Sequence, residues 1–155
     1  EDTGDRVYVF SHYTPMKQFG PDVVLSGQLV HWEKWYEPLL LKVQQGKVEN
    51  QQHWGLLAGG FVEMGTTWGE PIRPDIVDNL RAVTVTDPVL GTINVYDLIM
   101  KRYEQFSGTP TAFHPFTGPI TDTDGNLRLK SGEIISADEL NFTIDWYVEG
   151  IIPPE

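Results

Sequence analysis

A mixed α/β fold is what this 155-residue sequence predicts, and three observations predict it. Two runs rich in β-branched and aromatic residues, Arg6–Phe10 and Asp22–Val30, read as strands and are followed by a segment with helical spacing. Two more amphipathic patterns occupy Pro74–Val83 and Val95–Phe106. Near the C-terminus an Asp-Gly turn separates Ile120–Asp122 from Leu127–Leu129, a local hairpin signal. The resulting order is β, β, α, β, β, α, α, hairpin, α, which interleaves strands with helices.

Each element has its own signal. Arg6–Phe10 follows a Gly-Asp turn and enters a loop from Ser11 to Pro21 that holds His12, Tyr13, Pro15 and a Phe-Gly-Pro stop. Gly27 inside Asp22–Val30 marks a bulge or a close backbone approach. Trp32–Val43 is helical by spacing, with Trp35, Leu39 and Val43 on one face and Tyr36 and Leu40 beside them; Pro38 belongs near its first turn or kinks it. Gly46 ends that helix, and His53–Met64 reads as a strand pair around Gly59-Gly60. Pro74 opens a helix with apolar residues at 76, 77, 80 and 83, and Asn94 caps the one over Val95–Phe106. Ser136-Ala-Asp-Glu139 fits a capping box, starting a helix that runs to about Val148 and stops at Gly150.

Composition narrows the function classes. Length suits one compact domain and is small for two lobes with a cleft. Hydrophobic content of 40% with five Trp, six Tyr and seven Phe excludes a disordered chain. A net charge of −11 without any basic cluster argues against nucleic acid and anionic lipid as partners; the acidic surface serves solubility. No cysteine is present, which removes disulfides, thiolate metal sites, Cys nucleophiles and a lipid-bearing cysteine within these residues. No apolar run approaches the ~20 residues of a membrane-spanning helix. Glu1-Asp-Thr-Gly-Asp5 lacks signal-peptide character, so the chain is expected to be cytoplasmic or a processed or partial form of something longer.

Catalytic and metal signatures are absent from the sequence. The four histidines, at 12, 31, 53 and 114, form no His-Glu-x-x-His pair. Asp122, Asp124, Asn126 and Glu133 fall at calcium-loop spacing, but Leu127 stands where that loop needs glycine, and a tight Asp-Gly turn accounts for the pattern. Gly59-Gly60 lacks the Lys-Ser/Thr of a phosphate loop, and there is no Gly-x-Ser-x-Gly. No catalytic residue, metal site or cofactor is expected.

Aromatic residues beside polar ones carry more. His31-Trp32-Glu33-Lys34-Trp35-Tyr36 follows a strand and opens a helix, where open α/β sheets place ligand contacts. An exposed indole there can stack on a flat base; alternatively Trp32 and Trp35 pack the helix against the sheet.

Several blocks, in order, resemble the basic membrane protein family of substrate-binding lipoproteins of ABC transporters, which are similar to purine nucleoside receptors. The resemblance runs through Val7-Tyr-Val-Phe10, Val24-Leu-Ser-Gly27, Trp32, Tyr36, Trp54-Gly55 and Gly60-Phe-Val62. Its specific part is His114-Pro-Phe-Thr-Gly-Pro-Ile120, Asp124-Gly125, Gly132-Glu133 and Asp145-Trp-Tyr-Val-Glu-Gly150. What it implies is the C-terminal half of a type I periplasmic-binding-protein fold, with residues 1–155 contributing to both of its α/β lobes. It also implies a purine nucleoside or nucleobase-like ligand bound without chemistry, an ABC permease as partner, and the N-terminal half of the same protein. The location implied is periplasmic or cell-surface, lipid-anchored in the complete protein. Trp32 would be the stacking wall, His31 its polar neighbour and Tyr13 an ordering or hydrogen-bonding group, while Gly59 and Gly60 would offer backbone amides. Tyr13 and Pro15 stand where that family usually has Asp, and His31 where it has Asn. An alternative expectation is a rearranged half-domain acting as a protein-interaction or sensor module.

Overall fold

The computed structural model describes residues 7–50, 53–108 and 114–152. Arg6, the Gly-Asp turn before it and the connection Thr109–Thr111 lie outside the described residues. The chain divides into two compact units, Glu1–Ala112 and Phe113–Glu155. The mixed α/β class holds in its elements.

The first unit is organised on a three-stranded sheet of order β1-β2-β3, with β1 Val9–Tyr13, β2 Val24–Val30 and β3 Val62–Met64. β1 and β2 are parallel, while β2 and β3 are antiparallel. β1 begins three residues later than the sequence predicts and runs through Ser11, His12 and Tyr13, which the local pattern assigns to a loop. The cause is non-local: Val9 pairs with Val24 and Tyr13 with Leu29, so β2 sets the register. Gly27 makes the close approach the sequence signals. A Cβ there would lie 1.9 Å from Ser11 Oγ and 2.7 Å from the Ser11 carbonyl oxygen. The core of this unit sits on β2, where Val24, Leu29 and Val30 are buried together with Ile72.

Helix α1 spans Glu33–Gln44, with Pro38 inside it rather than at its first turn. No residue of α1 is buried, and Leu39, Leu40 and Val43 are exposed, so its expected apolar face has no protein cover among the described residues. Trp35 is the exception in part, half-buried with its ring 4.7 Å from that of Phe61. The strand pair expected over His53–Met64 is a single strand, β3. Before it, Leu57–Gly59 forms a 3-10 turn that Gly60 closes at φ 67°.

The helix expected over Pro74–Val83 is a 3-10 turn at Pro74–Ile76 running into α2, Val77–Ala82. A hairpin that the sequence reading missed follows, β4 Thr84–Asp87 and β5 Gly91–Asn94. The Asp87 carboxylate accepts the amides of Val89 and Leu90, and Gly91 takes φ 72°, which a side chain disfavours. α3, Val95–Ser107, starts as expected on Asn94, whose side chain accepts the Asp97 amide at 2.8 Å. Arg102 anchors α3 to the hairpin by donating to Asp87 at 2.6 Å.

The second unit is built on the predicted hairpin, β6 Ile120–Thr121 and β7 Leu127–Leu129. The capping box at Ser136 is present, with the Ser136 hydroxyl accepting the Glu139 amide and Glu139 accepting the Ser136 amide. The helix it starts, α4, spans Ala137–Phe142 and so ends well before Val148. The following segment goes to the hairpin: Thr123 donates to the Tyr147 carbonyl, Glu149 donates to Thr121, and Val148 bridges Asp122. Non-local backbone pairing has displaced the last helical turns. The block starting at His114 leads into β6 and pairs with the residues that follow β7. Gly118 donates to Glu133, Thr117 bridges Ile134, and a Cβ on Gly118 would lie 2.1 Å from the Lys130 carbonyl oxygen. The motif residues that carry the sequence resemblance most specifically are thus framework of this unit.

Asp122 is the buried anchor of the turn. Its carboxylate accepts the amides of Asp124 and Asn126, the Asn126 side chain and Arg128 Nε, the last at 2.6 Å. Burial alone would raise its pKa; the donors from Asn126, Arg128 and Asp124 outweigh it and hold the group at about 2. The ordinary value is 3.8. This carboxylate therefore contributes stability above pH 3.8 that is lost as pH falls towards 2. Urea unfolding of the wild-type chain and of Asp122→Asn should converge over that interval and differ most above it. A difference that stays constant from neutral pH down to 2 would contradict the assignment.

Candidate functional site

Strand β2 ends at Val30, and the chain turns at once into α1 through His31 and Trp32. Trp32 donates its amide to the Val30 carbonyl, and its own carbonyl accepts the amides of Trp35 and Tyr36, so its backbone makes the turn and its side chain is left over. That side chain is 44% exposed. Its ring stands edge-on to Tyr13 at 5.7 Å and lies near-parallel to Tyr36 at 6.0 Å. Tyr13 terminates β1, so both rings sit at the carboxyl ends of the parallel strand pair. Tyr13 adopts φ 69°, a left-handed conformation uncommon for a bulky residue, and stacks on His12 at 3.7 Å. Strain of this kind persists where surrounding contacts fix it and is concentrated at functional sites.

Trp32 also lines a groove of about 470 Å³ along α1. Trp35, Tyr36, Leu39, Trp54 and Phe61 supply most of the wall, and Lys34, Lys42 and His53 also line it. Among the described residues no carboxylate lines it, although the chain carries 22 acidic residues. A volume in the range of about 300–1,000 Å³ with an aromatic wall and few polar groups is what a small flat ligand requires.

His31 is engaged on both ring nitrogens. Nδ1 lies 2.8 Å from Glu33 Oε1 and Nε2 3.0 Å from Glu63 Oε2. The hydrogen bond to Glu63 foremost raises its pKa; burial opposes that, and Glu33 adds to the rise. The imidazolium, which donates from both nitrogens, is the form this geometry favours. The ring also packs on Trp68 at 4.6 Å. Trp68 is held by the turn in which Gly69 donates its amide to Glu63 and takes φ 73°. Beside it lies a second, more polar cavity of about 520 Å³, bounded by Thr14, Pro15, Lys17, Gln18, Thr67 and Trp68. Lys17 reaches from the β1–β2 connection to Glu70 at 2.6 Å, and Glu70 in turn accepts the Thr66 hydroxyl.

Of the five residues singled out in the sequence, Tyr13 and Trp32 come together, while the His31 ring, one residue before Trp32, turns to Glu33, Glu63 and Trp68. Gly59 and Gly60 lie on the Lys34 side, where Lys34 Nζ is 3.4 Å from the Gly59 carbonyl. Their amides already donate to Leu56 and Leu57 within the 3-10 turn, which corrects the expectation that they are open to a ligand. The sequence reading missed Tyr36 and Trp68 as site residues. Tyr36 had a signal, the i, i+4 offset from Trp32; Trp68 had none, because a turn far along the chain brings it to His31. Among the described residues no three His, Asp or Glu side chains are grouped to hold a metal ion.

The fold and site thus define an α/β chain with an aromatic groove of small-molecule size at the carboxyl end of its parallel strands. The chain is similar to a purine-binding protein of Brucella abortus (strain 2308), 26% identical over 145 residues. Those residues make up 94% of this chain and 35% of that protein, so the chain spans about a third of the length of the curated relative it matches. No family model matches the chain.

Proposed function

We propose that this chain is the C-terminal part of a solute-binding protein of the basic membrane protein type, and that it holds a purine nucleoside or nucleobase-like molecule against Trp32. The observation that carries the proposal is the position of Trp32. It is an exposed indole at the carboxyl end of β2, edge-on to Tyr13 and lining a groove walled by Trp35, Tyr36 and Trp54. A purine base has two π faces and suits such a wall. The relative that is named for purine binding supports the same ligand class.

Binding on this reading makes and breaks no bond, and needs no cofactor or metal. The complete protein has the type I periplasmic-binding fold, and closure of its two lobes presents the loaded form to an ABC permease. It works in the periplasm or at the cell surface, held by a lipid anchor that lies outside this chain. The N-terminal half of the same protein supplies the rest of the cleft. Isothermal titration calorimetry with adenosine, guanosine, adenine and ribose tests the reading. The three purines should bind and ribose should not, and adenosine should be recovered without base release. Absence of binding by every purine would sink it.

A second reading, a rearranged half-domain that serves as a protein-interaction or sensor module, draws on the uncovered apolar residues of α1. Specific self-association with no purine affinity would favour it.

A further inference from the structure

We propose that the groove along α1 selects purines that carry an anionic group, with a purine nucleoside monophosphate as its ligand class. This rests on the reading that a purine lies against Trp32, and it names which purine. The chain as a whole opposes such a ligand: 22 acidic residues against 11 basic ones give a net charge of −11, and that field repels a phosphate. A site for an anion on this chain therefore has to be made locally, by supplying cations and keeping carboxylates out. The groove meets both conditions. Lys34 and Lys42 line it together with His53, and among the described residues no Asp or Glu does.

The two lysines are not engaged by carboxylates. Lys34, Pro38 and Lys42 recur at four-residue spacing and so run along one side of α1, beside the aromatic wall. Lys34 Nζ lies 3.4 Å from the Gly59 carbonyl oxygen. A Cβ on Gly60 would come 2.6 Å from that nitrogen, so the bare backbone at residue 60 leaves room for the ammonium group. Among the described residues the ion pairs of lysine are those of Lys17 and Lys101, and none engages Lys34 or Lys42. Glu33, next to Lys34 in sequence, directs its carboxylate to His31 at 2.8 Å, and Glu37 does not line the groove.

The wall between these groups is built for a flat ring. Trp35 and Phe61 lie 4.7 Å apart, and a Cβ on Gly55 would come 2.2 Å from Trp35 Cζ2, so a glycine is what admits the indole. A neutral nucleoside uses this wall and leaves both ammonium groups idle. A monophosphate uses both features, since its oxygens accept charge-assisted hydrogen bonds about twice as strong as neutral ones.

Isothermal titration calorimetry of adenosine 5′-monophosphate and adenosine, on the complete protein, tests the assignment. At about 50 mM salt the monophosphate should bind about 10-fold tighter or more, and at about 500 mM salt the two should differ by about 2-fold or less. Inorganic phosphate alone should bind about 100-fold more weakly than the monophosphate, because it gains nothing from the wall. Lys42→Gln should weaken the monophosphate about 5-fold and leave adenosine unchanged. Lys101→Gln removes the same charge from an exposed position on α3 and should change neither. Equal affinity for nucleoside and monophosphate at low salt overturns this inference and leaves the purine reading standing. Equal losses in the two variants do the same, since they trace the preference to net charge and not to the groove. Absence of binding by every purine, phosphorylated or not, overturns the functional reading itself.

Discussion

Leu29→Ala should lower the stability of the chain by about 2–5 kcal/mol, the range for truncating a fully buried leucine. Leu29 has no solvent exposure and lies on the central strand of the three-stranded sheet, paired with Tyr13 on one side and Glu63 on the other. Its Cδ1 is 3.0 Å from the point a Cβ on Gly65 would occupy, so the turn after β3 closes directly over it. Few other residues of this unit are as buried, and α1 offers no mass to collapse into the space, since it contributes no buried residue. Denaturant unfolding checks this. Leu40→Ala is the control, because Leu40 is 60% exposed and its loss should change stability by about 0.5 kcal/mol or less. Equal effects of the two substitutions would show that the core does not sit on β2.

Trp32→Ala should leave the fold intact and weaken purine binding by about 1–3 kcal/mol, or about 5- to 150-fold in Kd. The backbone contacts of residue 32 survive the substitution, since the helix start uses its amide and carbonyl and no side-chain cap is made. What is lost is the exposed indole and its edge contact with Tyr13. Trp32→Phe, which keeps an aromatic face, should retain most of the affinity. Calorimetry on both variants, with circular dichroism to confirm folding, gives the comparison. A folded Trp32→Ala protein with unchanged affinity would remove Trp32 from the site.

Features written in a few consecutive residues are legible in the sequence. The Ser136–Glu139 capping box, the Asn94 cap, the Asp-Gly turn of β6–β7 and the close approach at Gly27 all depend on residue types at fixed short offsets. Features decided by distant partners are not. β1 takes its register from β2, and α4 stops early because residues 147–149 pair with 121–123. The β4–β5 hairpin does carry a signal, Asp87-Pro-Val-Leu-Gly91 between two Thr-containing alternating runs, but the stronger helical pattern after it masks the strands.

The site divides in the same way. His31 and Trp32 stand where a predicted strand ends, a position that sequence can locate, whereas Tyr13 falls in an expected loop and reaches Trp32 only through the β1–β2 pairing. Gly59 and Gly60 stand out for the freedom of a residue without Cβ, but that freedom serves a 3-10 turn that consumes their amides. Trp68 and Glu63 reach His31 only through the β2–β3 pairing and the turn that follows it.

The most direct measurement is an amide and indole nitrogen–proton spectrum of the protein recorded while adenosine is added. Five tryptophans give five indole signals, and Trp32→Phe identifies the one from residue 32. The Trp32 indole should shift progressively and saturate, with the Tyr13 amide moving alongside it. Saturable binding that leaves the Trp32 signal in place, or no shift at any adenosine concentration, would contradict a purine site at the carboxyl end of β2.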